Sequence, residues 1–243
     1  MSTFEIIPVH VGSRIGDSSL FCYLSEPHEL LTIHYRLWVV RNASMTLLVD
    51  SGLPPEEALR RGITDAREVE SALGACGIDA GEIDTVVLTH LHWDHASNAD
   101  RFPRATFVAQ KAEVDWLTDP KIAQPSIGRF YSDIEKFQTM VTRGRFRLLQ
   151  GDERLADGIE AVRVGGHTPG SQMLFVDVPG GRAVIAGDAI PLNRNFLGNV
   201  PPGIHLNLCE AIDALERARS IKPVALFTGH DPIAKLDLTD RPS

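Results

Sequence analysis

Six consecutive residues, His90-Leu91-His92-Trp93-Asp94-His95, concentrate three imidazoles and one carboxylate. Imidazole nitrogen and carboxylate oxygen are the donors that zinc and other borderline-soft divalent ions accept, so the chemistry this run offers is metal binding. The spacing favours two ions over one. In an irregular loop or a helix start, His90 and His92 can turn toward one ion while Asp94 and His95 reach a neighbouring point. A single tetrahedral ion rarely takes four ligands from so short a stretch. Such a cluster without a metal would be costly to desolvate. A lone histidine carries no such argument, and His10 and His28 read as ordinary half-exposed residues.

Three other places repeat one arrangement: an apolar run, a glycine, then a metal-capable residue. Glu160-Ala-Val-Arg-Val-Gly-Gly leads to His167, Arg182-Ala-Val-Ile-Ala-Gly to Asp188, and Val224-Ala-Leu-Phe-Thr-Gly to His230. Glycine lets the backbone turn sharply, so a side chain can leave each strand end toward a shared point. Ligands commonly collect outside the strand ends of an open α/β sheet.

The elements that must position these groups are legible as short β-rich runs bounded by Gly, Pro, Asp and Asn. Strands are expected at Phe4–Val11, Leu37–Val49, Thr85–Thr89, Thr106–Ala109, Arg145–Leu149, Glu160–Val164, Met173–Val176, Ala183–Ala186 and Val224–Thr228. Helical spacing predicts Asp65–Gly74, with Thr64 or Asp65 as its N-cap, and Gln110–Leu117, Ser132–Thr142 and Leu208–Ser220. Strands with helices set between them imply a sheet core with helices outside. The segment from about 116 to 143 is the least regular and reads equally as a cap over a pocket or a surface excursion.

The chain has 243 residues, 43% hydrophobic and 23% charged, which suits one globular α/β domain spanning 1–243 and excludes disordered and fibrous classes. No apolar run is long enough to span a membrane. A formal net charge of −8 without a basic cluster makes nucleic acid a poor partner. The N-terminus reads as a first strand, not a signal peptide, and the three scattered cysteines suit a reducing cytoplasm.

The motif His-x-His-x-Asp-His, followed by His167, Asp188 and His230 each after a strand, resembles the metallo-β-lactamase superfamily. The similarity runs from Val39 to about Asp231. Leu48-Val-Asp50-Ser-Gly52 is similar to that superfamily's early Asp-Thr-Gly, and Gly166-His-Thr-Pro-Gly170 matches its Gly-His-Thr-Pro-Gly turn. The resemblance implies an αββα sandwich of two mixed β-sheets flanked by helices, in the α/β (α+β) class. It also implies two divalent metal ions, zinc foremost, with iron or manganese as alternatives. By position, His90, His92 and His167 take one ion, Asp94, His95 and His230 the other, and Asp188 bridges. Asp50 would orient a ligand imidazole from outside the ligand set.

Within the superfamily, β-lactamases carry Cys or Ser where this chain has Asp188, which disfavours lactam hydrolysis. The phrasing Val86-Val-Leu-Thr-His-Leu-His-Trp-Asp-His-Ala-Ser-Asn98 looks most like the N-acyl homoserine lactonase group. That implies a hydrolase opening a lactone or similar cyclic ester of a small molecule through a metal-bridging hydroxide, with a homodimer as the assembly common among relatives. Asp94 or Asp188 would move the proton, Asp94 being favoured because a carboxylate with one oxygen on metal keeps the other free. One departure stands out: lactonases place a tyrosine three residues after the bridging aspartate, and here that residue is Pro191, which cannot donate a hydrogen bond. Asn193, Asn195 and His205 lie downstream as replacements, and Trp93, Phe130, Tyr131, Trp38 and Phe196 are candidates to wall the pocket. Alternative activities on the same fold are thioester, amide or phosphodiester hydrolysis and iron-dependent oxidation. A binding module without catalysis is the remaining class, and it fits poorly with a complete ligand set.

Overall fold

Runs of Val, Ile, Leu and Phe bounded by turn residues form twelve strands among the described residues, 2–26 and 28–239, of the computed structural model. In chain order the elements begin with β1 (Glu5–Asp17), β2 (Leu30–Arg41), β3 (Thr46–Val49), α1 (Pro55–Arg60), α2 (Val69–Gly74), β4 (Thr85–Val87) and α3 (Trp93–Ala96). Then come β5 (Thr106–Gln110), α4 (Lys111–Trp116), α5 (Pro125–Gly128), α6 (Ile134–Thr142), β6 (Phe146–Leu149), β7 (Glu153–Ala156) and β8 (Ile159–Arg163). The remainder are β9 (Gln172–Val178), β10 (Gly181–Gly187), α7 (Asn193–Gly198), α8 (Leu208–Ser220), β11 (Ala225–Thr228) and β12 (Leu236–Asp237). Residue contacts define two compact units: Ile6–Ser13 with Tyr35–Gln150, and Met1–Glu5 with Arg14–His34 and Gly151–Ser243.

The unit containing Tyr35–Gln150 holds β3 to β6 and most of β2, in a six-stranded mixed sheet of order β1-β2-β3-β4-β5-β6. β2 runs antiparallel to β3, while β3, β4, β5 and β6 run parallel, in register at Leu48↔Val86, Val86↔Phe107 and Phe107↔Phe146. Leu47, Leu48, Val49, Val86, Val87, Phe107 and Val108 are buried, the unbroken apolar pattern of strands covered on both faces. Because β3 and β4 are parallel, their carboxyl ends fall at one sheet edge. Asp50 leaves the first and Thr89-His90 follows the second.

The other unit carries a second mixed sheet, β12-β11-β10-β9-β8-β7. β8, β9 and β10 alternate in direction and β11 runs parallel to β10, so β8, β10 and β11 all point the same way. Their carboxyl ends lead to His167, Asp188 and His230. Against the sheet, α8 packs Ala214, Leu215 and Ala218 in a cluster with Val162, Phe175, Val184 and Leu226. Small alanines let the helix approach closely, and full burial of a side chain such as Leu215 or Phe175 contributes about 1.5–3 kcal/mol.

Some sequence expectations shift. The run Leu37–Val49 is two strands, because the Asn42 side-chain oxygen accepts from the Ser44 and Met45 amides (2.9 and 3.0 Å) and turns the chain. The helix expected from Asp65 begins at Val69. Asp65 does not cap it; its carboxylate accepts instead from the Ser13 amide and hydroxyl at 2.6 and 2.7 Å. Leu208–Ser220 forms as expected, with Asn207 capping it by accepting from the Cys209 and Glu210 amides.

Candidate metal centre

At the first sheet edge, Asp50 adopts φ 62°, a left-handed conformation that a non-glycine residue takes at a cost of about 1–2 kcal/mol. Its carboxylate repays the distortion by ordering the ligand turn. It accepts from the Thr89 amide (2.7 Å) and hydroxyl (3.0 Å), and from Nδ1 of His95 (2.7 Å). Complete burial pushes the Asp50 carboxyl above its usual range, and the contacts with His95 and Thr89 oppose that rise. Next to it, α3 is a single helical turn with His92 at its N-cap. His90 and His92 therefore precede the turn, and Asp94 and His95 lie within it. The His90 and His92 rings meet edge to face with centroids 4.5 Å apart, and Nε2 of His95 is 3.5 Å from Oδ2 of Asp94.

Glycines shape the second edge. Gly166 has φ 80°, and a Cβ there would lie 2.6 Å from the Ala211 amide nitrogen, so only glycine lets the His167 turn lie against α8. A Cβ on Gly229 would fall 2.4 Å from Oδ1 of Asp188. Asp188 places its carboxylate between two imidazoles: Oδ1 is 3.0 Å from Nε2 of His230, and Oδ2 is 3.6 Å from Nε2 of His167.

The tautomers follow from the outer contacts. Nδ1 of His167 faces the Ile204 carbonyl at 2.7 Å, Nδ1 of His230 the His34 carbonyl at 2.9 Å, and Nδ1 of His95 the Asp50 carboxylate. Each proton belongs on Nδ1, so a neutral imidazole turns its Nε2 lone pair toward a carboxylate. Lone pair against carboxylate is repulsive unless positive charge lies between them. Donors sharing a tetrahedral ion at bonds of about 2.0–2.1 Å stand roughly 3.3–3.4 Å apart. The His–carboxylate separations of 3.0, 3.5 and 3.6 Å span that value, and the donor set fits divalent metal.

The aromatic candidates divide. Trp93 is buried, its amide donates to the Phe130 carbonyl (2.9 Å), and its ring lies 5.5 Å from that of Tyr35. Phe130 stacks on His92 (5.2 Å, 30°) and Tyr131 meets it edge-on (4.9 Å, 79°), so residues of the irregular segment touch a candidate ligand. Burial pushes the Tyr131 phenol far above its usual value, the Glu113 charge adding to the rise. Trp38 is wholly buried, and Phe196 belongs to the core cluster beneath α8.

The polar candidates near Pro191 divide as well. Asn195 accepts from the Leu192 amide and donates to the Phe21 and Val200 carbonyls. Asn193 accepts from the Thr228 hydroxyl and donates to Ile233. Both amides serve the scaffold. His205 is half-buried, faces the Pro202 carbonyl with Nδ1 at 2.8 Å, and meets the Tyr23 ring edge-on at 5.1 Å. Sequence reasoning missed Glu113, a fully buried carboxylate on α4 that accepts from the Leu91 amide at 3.0 Å in the middle of the ligand run. The one available signal was an acidic residue within the predicted helix Gln110–Leu117.

Two parallel strand ends and three more, each delivering imidazole or carboxylate, define a metal-binding α/β protein. The family model of the metallo-beta-lactamase superfamily matches residues 37–230, and the chain belongs to that superfamily. Two mixed sheets flanked by helices are the arrangement of its fold, as expected from the sequence. An N-acyl homoserine lactonase of Bacillus sp is 24% identical over 95% of this chain and 94% of its own length. A probable metallo-hydrolase of Methanocaldococcus jannaschii is 27% identical over 70% of each chain. Among solved structures, an N-acyl homoserine lactone hydrolase with N-hexanoyl-L-homoserine at its catalytic metal center superposes with a TM-score of 0.76 at 20% identity, covering 96% of this chain and 95% of that one. AidC, a dizinc quorum-quenching lactonase, gives 0.74 at 16% identity, covering 96% and 90%.

Proposed function

We propose that this protein is a binuclear metal-dependent hydrolase that opens a lactone or similar cyclic ester of a small molecule. The observation that carries the reading is the carboxylate of Asp188 facing Nε2 of both His167 and His230, whose Nδ1 atoms are each committed to a backbone carbonyl. His90, His92 and His167 would hold one ion, Asp94, His95 and His230 the other, and Asp188 would bridge, with zinc the natural occupant of such a set. When bound, the pair supplies Lewis acidity toward the ester carbonyl and brings the pKa of a shared water toward neutrality.

The chain's own residues do the rest. Asp94, whose carboxylate lies 3.5 Å from Nε2 of His95, would take a proton from the attacking water and return it to the leaving ring oxygen. Asp50 fixes the His95 tautomer. Trp93, Phe130 and Tyr131 wall the site and exclude water, which makes the segment from about 116 to 143 part of the pocket. Lactones with an N-acyl amino substituent are the first substrates to try, because full-length relatives are N-acyl homoserine lactonases.

The test is a lactone panel, with and without acyl chains, followed by proton release on protein of measured metal content. Acid release that needs about two metals per chain supports the proposal. Activity that survives complete chelation sinks it, and turnover confined to thioesters or phosphodiesters moves the substrate class.

A further inference from the structure

We infer that Arg61 is a positioning residue for the candidate metal centre: it braces the ligand turn against the aromatic segment that packs on His92. Arg61 caps the end of α1 and reaches three partners at once. Its Nε donates to Oε1 of Glu57 at 2.6 Å, and Nη1 donates to the Arg129 carbonyl at 3.2 Å. Its guanidinium carbon lies 4.1 Å from the centroid of the Trp93 ring. The next carbonyl along, that of Phe130, accepts from the Trp93 amide at 2.9 Å. Two consecutive carbonyls are thus tied to the ligand turn, one directly and one through Arg61.

The consequence reaches His92, because Phe130 and Tyr131 are the rings packed on that imidazole. It also reaches Asp94 and His95, which follow Trp93 in the single turn of α3. A planar guanidinium can serve a carboxylate, a carbonyl and a ring face together, whereas an ammonium is a point charge. Glu57 holds the guanidinium in place and is itself nearly buried. Arg60 is the internal comparison. It pairs with the same carboxylate from the same helix, yet its side chain is 67% exposed and it donates to neither the Arg129 carbonyl nor the Trp93 turn.

This inference rests on the metal reading of the site, and its test does not depend on knowing the substrate. The full chain and its variants are titrated with Zn2+ in competition with a chromophoric chelator, and the visible spectrum of the Co2+-loaded protein is recorded. Arg61→Met should weaken metal affinity about tenfold or more, the range seen when outer partners of ligands are lost, and should change the Co2+ spectrum. Arg61→Lys should not restore either, and Arg60→Met should match the unaltered chain. If Arg61→Met fails to fold, Glu57→Gln, which loosens the same guanidinium, must produce the same changes in smaller degree. Unaltered affinity and spectrum in the folded variant would overturn the brace and leave the hydrolase reading standing. A parent chain that binds no Zn2+ would overturn both.

Discussion

Replacing Asp50 by Asn should separate metal binding from folding. The carboxylate accepts three hydrogen bonds, two from Thr89 and one from Nδ1 of His95, and has no exposure to water. An amide presents one acceptor and one donor, so either the Thr89 amide or the His95 ring would meet an N–H. Loss of a charge-assisted bond to a ligand imidazole corresponds to about 10–100-fold in metal affinity. At saturating metal that removes roughly 1.4–2.7 kcal/mol of ligand-linked stability. For a chain of this size the increment in Tm on adding Zn2+ should shrink by about 3–11 °C.

The metal-free protein should behave differently. Burial raises the Asp50 pKa, so its charged form favours the unfolded state, and the associated stability is present at low pH and lost as pH rises through the folded value. At neutral pH the neutral amide escapes that cost, so the Tm of the metal-free variant should hold or rise. Differential scanning calorimetry with and without Zn2+, beside a chelator competition titration, measures both halves. An unchanged Zn2+ increment, or equal losses in the metal-free and metal-loaded proteins, would refute the reasoning.

Asp188→Asn should lower the metal content measured by elemental analysis from about two ions per chain to about one, and cut lactone turnover about 100-fold or more. Gly229→Ala places a methyl group 2.4 Å from Oδ1 of Asp188, so metal content should fall while far-ultraviolet circular dichroism stays unchanged. At Glu57, burial raises the carboxyl pKa, but hydrogen bonds from Arg60 and Arg61 more than offset it and hold the value below 4.5. The stability it contributes is therefore present above pH 4.5 and lost as pH falls through the folded value. Denaturant titrations from pH 6 downward should show a shallower acid loss for Glu57→Gln than for the parent chain.

The division between what the sequence disclosed and what it hid follows the range of the interactions involved. The strand ends and the candidate ligands that follow them were legible because each lies within a few residues of its own signal: Gly166 before His167, Gly187 before Asp188, Gly229 before His230. Parallel apolar strands were legible because they are buried on both faces and tolerate no interruption. The turn at Asn42 was hidden because an Asx contact of two or three residues competes with a strong apolar pattern that continues on either side. Asp65 was hidden for the opposite reason. Its partner, Ser13, is 52 positions away, and a good N-cap residue spent on a distant amide cannot start a helix. The same range limit covers Glu113 and Arg61, whose contacts cross 22 and 68 positions to reach Leu91 and Arg129. Candidate metal donors announce themselves by type; the residues that contact them from outside are ordinary charged residues until the chain has folded. The polar residues downstream of Pro191 show how much that matters, since the two asparagines expected from the sequence as substrate contacts are fastened to backbone carbonyls and Thr228, while the His205 ring stands beside Tyr23.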